Sequence, residues 1–434
     1  MTQLAVTTIL LASLTLVGLL YSGIPRLLIW VQVGYWAVSY VIRPAILLYV
    51  VPAPRLGDSV ADPRLALDAY TAALSEVLTI VDIGLGIYLG TLILIRAIFR
   101  HRINSVSVGG ARSVPGLFAT LGISWIIGWV GRIGVVAGGS NAFLDLLGYF
   151  AVAGAFGLLL RLPATTRASR IILVVVASSE VLWAVASASK TPLMSTALAL
   201  LLRIFVIGDG RRGVKVAAIL GVTLLMFPLI QALKIDARVG GELSAVDAAY
   251  PILVRPFLSL VRRFDLLSAA TDAMYLGPGN WISVEDFWGR ALAAFVPTPL
   301  LPGQKTFAGQ AWADEVRSFS TGSLGGGVSL ADGFIAEGWA LAGVWGIVLE
   351  SVVLAALLFF AAWAVARGTP ALVGLGGCLL TYPILFERGM LGSFSVLGKS
   401  LQAALIIWLI GLVVSELARR SARQQAILTR GLPA

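Results

Sequence analysis

Residues Ser329–Ala364 read SLADGFIAEGWALAGVWGIVLESVVLAALLFFAAWA. After Glu337 the chain runs 27 residues (338–364) with Glu350 as its one charge. A membrane-crossing helix needs about 20 mostly apolar residues, so this stretch reads as a polar segment entering a span. Ten further runs have the same character. The eleven lie near 4–22, 27–52, 69–95, 115–131, 144–160, 171–188, 192–207, 214–233, 338–364, 371–386 and 400–416. They are too long and too continuously apolar for barrel strands, which alternate in polarity over about ten residues. The expected fold is an all-α polytopic membrane protein of about eleven transmembrane helices. A large extracytoplasmic loop, itself containing helices, interrupts them.

Composition agrees. The 434 residues are 58% hydrophobic and 12% charged, with a mean hydropathy of +0.93; a soluble domain is about a quarter charged. The first run has no basic segment before it and reads as a retained span rather than a cleaved signal. A lone Cys378 cannot form an intramolecular disulfide, and a lone His101 excludes a His-rich or Cys-rich metal site.

The net charge is +10. Its distribution favours membrane topology over nucleic acid. Arg96, Arg100, Arg102, Arg112, Arg161, Arg167, Arg170, Arg211, Arg212, Lys215, Arg367, Arg419, Arg420, Arg423 and Arg430 fall in short loops, at span ends and in the C-terminal tail. Alternating spans put them all on one side, the cytoplasmic one by the positive-inside rule. The N-terminus is then outside and the C-terminus inside. Residues 234–337, with eight basic and eleven acidic residues and so a net of −3, fall outside. The chain divides into an N-terminal bundle of about eight spans (1–233), an external loop (234–337), and about three C-terminal spans with a basic tail (338–434).

Charges inside spans are few; among them are Arg43, Glu76, Asp82, Glu180 and Glu350. Such groups are costly and face a partner or a cavity. For Glu180 and Glu350 the alternatives are helix–helix pairing and a cavity, whereas Arg43, in the outward half of its helix, is placed to meet an anionic headgroup.

The loop has three informative stretches. From Phe257 to Tyr275, Leu258, Val261, Leu266, Ala269 and Ala273 are spaced for one apolar helix face. Arg255, Arg262 and Arg263 lie at its start and middle; they either anchor an interfacial helix or capture phosphate, for which Arg is suited. From Phe295 to Lys305, Pro297, Pro299 and Pro302 forbid a helix and favour a stiff extended arm ending in a Pro-Gly turn that presents Lys305. From Ser329 to Gly343, Asp332 and Glu337 stand at a helix entrance. There they complement the helix dipole or act as a general base at the lipid–water boundary.

These stretches resemble the Wzy-type oligosaccharide repeat-unit polymerases, relatives of the O-antigen ligases. That family carries, in a long external segment, a Pro-containing stretch ending in Lys, a Gly/Ser-rich piece, and an acidic-aromatic-Gly motif entering the next span. Here these are Phe295 to Lys305, Gly322 to Ser329, and Glu337-Gly338-Trp339 to Gly343. Arg263-Phe264-Asp265 and Ser189-Lys190-Thr191-Pro192 also look like family positions.

The resemblance implies a helical fold of the GT-C glycosyltransferase class in the bacterial cytoplasmic (inner) membrane. It implies transfer of a growing glycan from undecaprenyl pyrophosphate to a sugar hydroxyl of a new lipid-linked repeat unit on the outer face. The product is a lipopolysaccharide or exopolysaccharide chain. The partners implied are the lipid-linked oligosaccharide, membrane lipid and a chain-length-regulating membrane protein, with no nucleic acid, cofactor or metal. Cations then stabilise the leaving pyrophosphate. The candidates are Arg263, Arg262, Lys305, Lys190, Arg255, Arg43, Arg388 and Arg317, with Arg132 also on the external side. Glu337 leads as base, followed by Asp332 and Asp265. Trp288, Trp312 and Trp339 are candidates for stacking on sugars, with interface anchoring as the alternative. The rivals are a ligase that moves the finished glycan to a foreign acceptor and a flippase for the lipid-linked glycan.

Overall fold

A computed structural model describes residues 2–50, 70–99, 116–138, 141–187, 189–207, 211–239, 264, 266–301, 305, 307–321, 329–381 and 387–430. Among them there is no strand. The helices are α1 (Thr2–Leu19), α2 (Ile24–Ala37), α3 (Tyr70–Ile98), α4 (Leu117–Val136), α5 (Ala142–Arg161), α6 (Arg167–Ala186), α7 (Thr191–Ile207) and α8 (Arg212–Val239). Then come α9 (Leu266–Leu276), α10 (Val284–Ala293), α11 (Ala308–Ala311), α12 (Phe334–Ala366), α13 (Pro370–Thr381) and α14 (Met390–Arg430). α2 runs on through two π-helical turns, Val38–Ile42 and Ile46–Val50, on either side of Arg43–Ala45. α11 continues likewise through Trp312–Arg317 and Ser318–Thr321.

Among the described residues seven helices are long and apolar enough to cross a membrane: α1, α3, α4, α5, α6, α12 and α14. α7 and α13 hold shorter apolar stretches, Thr191–Phe205 and Pro370–Thr381. The outer faces of α1, α4, α6 and α14 carry an apolar belt that includes Ile9, Ile126, Val130, Val174, Leu182, Leu405 and Val413. Lipid solvates such side chains as readily as a protein core does, so tight packing is what holds these helices together. α4 and α5 illustrate it: a Cβ on Gly128 or Gly154 would collide with the backbone of Ala151 or Leu121 on the facing helix.

Local signals set several helix starts. Asn141, Thr166 and Ser283 each cap a first turn through a side-chain oxygen. Among its described residues the proline arm forms no α-helix, as expected, but a 3-10 turn, Thr298–Leu300, in place of an extended segment; the expected Pro302-Gly303 turn lies outside the described residues. α8 carries on to Val239, past the expected end of its span at 233. Of the helix expected over Phe257–Tyr275, the described part is α9.

The largest departure is in α12. It does not run straight from Phe334. At Ala342 (φ −155°, ψ 26°) and Gly343 (φ 60°, ψ −137°) the backbone leaves the helix, and the second conformation is one that glycine alone adopts without strain. The chain doubles back there. Gly338 meets Gly346 so closely that a Cβ on either would strike the other's backbone. The carbonyls of Trp339 and Ala340, left open at the end of the short arm, accept the N–H groups of Gly279 and Trp281. α9 packs on α12, while α10 and α11 pack on the start of α14.

Candidate functional site: a cationic cavity beside α14

The fold-back of α12 turns Glu337 inward. Asp332, Glu337 and Glu350 are all buried, at 1%, 0% and 1% exposure. They gather under the first turn of α14. Asp332 Oδ1 accepts the Gly389 N–H (3.2 Å) and Glu337 Oε1 the Leu391 N–H (2.8 Å), while Glu350 accepts from Met390. The first N–H groups of a helix have no partner of their own; these carboxyl oxygens supply one. Gly389 is the hinge of the arrangement, because a Cβ there would overlap the Glu337 carboxyl. Glu337 and Asp332 were expected at the lipid–water boundary, open to an acceptor. They lie instead beneath α14, with no exposed face.

Arg388, one residue before Gly389, lines a cavity of about 430 Å³ with Arg290, Lys305 and Lys399. Tyr149, Gln310, Ser329 and Ser395 add polar groups to its wall. Two of its four cations are compensated: Arg290 forks onto Glu315 (2.8 and 2.9 Å), and Lys399 lies 3.5 Å from Asp145. The other two touch backbone only. Lys305 Nζ donates to the carbonyls of Ala294 and Val296, which folds the proline arm back on α10, and Arg388 Nη1 donates to Leu330 O at 3.3 Å. Among the described residues neither has a carboxylate within ion-pair distance. Partial burial pushes the Lys305 ammonium below the usual lysine range, and the nearby Lys399 charge adds to the effect. A cavity with an excess of positive charge and hydrogen-bond donors is complementary to a phosphate-bearing group. Gly309 keeps it open, since a Cβ there would run into Ser329 and Arg388.

Of the expected pyrophosphate ligands, Lys305 and Arg388 therefore meet at one cavity. Arg43 is buried in α2 and donates to Phe264 O (2.8 Å) and Ser268 Oγ (3.1 Å), so it clamps α9 rather than facing a headgroup. Arg317 holds Asp272 through Nε at 2.8 and 2.9 Å, away from the cavity. Lys190 is buried at the start of α7, beside a separate cleft. Arg132, expected in a loop, sits inside α4 and is paired with Glu180. Arg255, Arg262, Arg263 and Asp265 lie outside the described residues.

The tryptophans divide similarly. Trp312 is fully buried and donates its N–H to Asp272 Oδ2 (2.9 Å), which removes it from sugar stacking. Trp339 is half-buried against two core clusters. Trp288 is half-buried between Phe287 and Phe394, beside the cavity wall residues Gly289 and Arg290. Arg290 and Lys399 were missed as cavity cations. Their sequence surroundings show nothing beyond an external position, and it is tertiary packing that brings them together. No group of three or more His, Cys, Asp or Glu arranged to hold a metal occurs among the described residues. Comparison with protein-family models, curated proteins and solved structures found no match to this chain.

Proposed function

We propose that the chain is a glycan polymerase of the membrane-glycosyltransferase type. It transfers a growing oligosaccharide from a polyprenyl pyrophosphate, in the bacterial case undecaprenyl pyrophosphate, to a sugar hydroxyl of a new lipid-linked unit. The observation that carries this is the cavity at Arg388 and Lys305, two cations without carboxylate partners among the described residues, beside the start of a helix long and apolar enough to cross a membrane. As the glycosyl–oxygen bond breaks, negative charge gathers on the departing pyrophosphate, and fixed cations in a partly dry site stabilise it. The same proposal includes eleven spans in a GT-C-like arrangement within the cytoplasmic membrane. The N-terminus and the cavity then face outward and the basic tail faces the cytoplasm, in line with the positive-inside distribution.

The test is reconstitution of the full chain with an undecaprenyl-pyrophosphate-linked repeat unit. The expected product is a ladder of longer glycans that is lost in Arg388→Ala and Lys305→Ala while both variants remain in the membrane. Wild-type ladders from both variants would sink the cation assignment. Transfer to a foreign acceptor alone would make the chain a ligase, and lipid translocation without transfer would make it a flippase.

A further inference from the structure

A polymerase needs a place for the acceptor as well as for the leaving group, and a second cleft has the chemistry for it. It measures about 260 Å³ and lies among α4, α5, α6 and the start of α7, lined by Arg132, Asp145, Gly148, Trp183, Thr191 and Thr381 among others. Its charge balance is unlike that of the first cavity. Arg132 is neutralised by a two-pronged pair with Glu180, at 2.6 and 2.8 Å, and is wedged between the rings of Trp129 and Trp183. Among the described residues, the other lining groups are hydroxyls, an aromatic ring, apolar side chains of α4 and α5, and one carboxylate, with Lys190 buried between the lining residues Ser189 and Thr191 and not itself lining the cleft. Convergent hydroxyl and carboxylate groups with an aromatic wall suit a neutral sugar carried on an apolar tail better than an anion.

Asp145 connects the two cavities. It lines the second, while its Oδ2 lies 3.5 Å from the Nζ of Lys399, which lines the first. One turn further along α5, Tyr149 also lines the first. The Asp145 side chain is 51% exposed, in contrast to the enclosed Glu337. We propose that the second cleft binds the neutral sugar of the acceptor, and that Asp145 takes the proton from its attacking hydroxyl.

The role of Asp145 rests on the polymerase function proposed above. The acceptor oxygen bonds to the anomeric carbon as its proton passes to the Asp145 carboxylate. The bond from that carbon to the pyrophosphate oxygen breaks, its electron pair leaves with the pyrophosphate, and Lys305 and Arg388 meet the charge. A general base of this kind contributes about 10²- to 10⁴-fold. The competing structural role is plain: Asp145 lies in the first turn of α5, where a negative charge complements the helix dipole.

Gly148 gives a test of the cleft apart from catalysis, because a Cβ there meets open space and a larger side chain fills the cleft without a backbone clash. The full chain in lipid nanodiscs is labelled with a photoreactive dodecyl maltoside, a neutral sugar on an alkyl tail. Saturable labelling of α4–α6 is expected, weakened at least tenfold by Gly148→Phe and not competed by undecaprenyl pyrophosphate. Labelling absent from these helices, or undiminished in Gly148→Phe, overturns the cleft. In the polymerisation assay, Asp145→Asn is expected to lower turnover by about 10²- to 10⁴-fold with undecaprenyl pyrophosphate binding undiminished, since the change only frees the charge of Lys399 in the first cavity, and Asp145→Glu to restore part of the turnover. A wild-type rate in Asp145→Asn, or equal loss in Asp145→Glu, overturns the base. If the wild-type chain forms no glycan, the polymerase proposal and the base fail together, and the labelling judges the cleft by itself.

Discussion

Replacing Glu180 by Ala leaves Arg132, which is 4% exposed, as an uncompensated cation between α4 and α6. The pair is close and two-pronged (2.6 and 2.8 Å), with side-chain exposures of 5% and 3%, so water cannot replace the lost carboxylate. Breaking a buried pair from one side costs about 3–5 kcal/mol. The rings of Trp129 and Trp183, 5.1 and 5.2 Å from the guanidinium carbon, retain a cation–π attraction of about 0.5–2 kcal/mol, which places the expected loss near the lower end, about 3 kcal/mol. At about 1.4 kcal/mol per decade, the folded-to-unfolded ratio falls by about two decades. Removing both charges, in Arg132→Met with Glu180→Met, should cost little, because a buried pair exchanged for apolar side chains is often neutral. The assay is reversible unfolding in mixed micelles, followed by tryptophan fluorescence. Arg290→Met, which breaks the half-exposed Arg290–Glu315 pair, serves as a control at under about 1 kcal/mol. If the double variant loses as much as the two single losses summed, the residues are not coupled and the reasoning fails.

Three further outcomes follow from other parts of the fold. Gly343→Ala should lower stability by about 1–3 kcal/mol, because it forces a side chain into the positive-φ break of α12; Gly86→Ala, where a Cβ meets open space, should be neutral or slightly stabilising. Unchanged melting in Gly343→Ala would count against the fold-back. Burial holds Lys305 below the ordinary lysine value of 10.5, so its protonated form is less favoured in the folded chain than in water. An anion in the cavity favours the proton, so inorganic pyrophosphate binding should weaken as pH rises through that lowered pKa, starting below 10.5, whereas Lys305→Arg, always charged, should shift the loss upward; identical pH profiles would refute this. Asp272→Ala removes the acceptor of the buried Trp312 N–H and the carboxylate that Arg317 holds and should cost about 1–3 kcal/mol for the unsatisfied buried donor, which thermal unfolding would reveal.

Helix positions were largely legible in the sequence because lipid imposes a one-dimensional rule: a span must satisfy its own backbone and present apolar side chains over about 20 residues. That the proline arm forms no α-helix was legible for a similarly local reason, since a missing N–H and a fixed φ act wherever the residue stands. The break in α12 was not. Ala342-Gly343 sits inside an apolar run, and a glycine there is compatible with a straight helix until Gly338 and Gly346 are seen to touch. The role expected of Glu337 changed with it.

Arg132 shows the same limit in another way. Its charge suggested a loop, because a lone arginine in lipid is costly, and the cost disappears only once Glu180, 48 residues away, is opposite it. What the sequence by itself determined is the apolar helical character and the location of the charge-rich segment, both sums over neighbouring residues. Only the tertiary structure decided which charges meet. Arg290, Lys305, Arg388 and Lys399 come from separate elements, and the fold-back of α12 beneath α14 sets both where the carboxylates are hidden and where Arg388 stands. Ion pairing and burial act over a few ångströms of space, a distance that sequence separation does not encode.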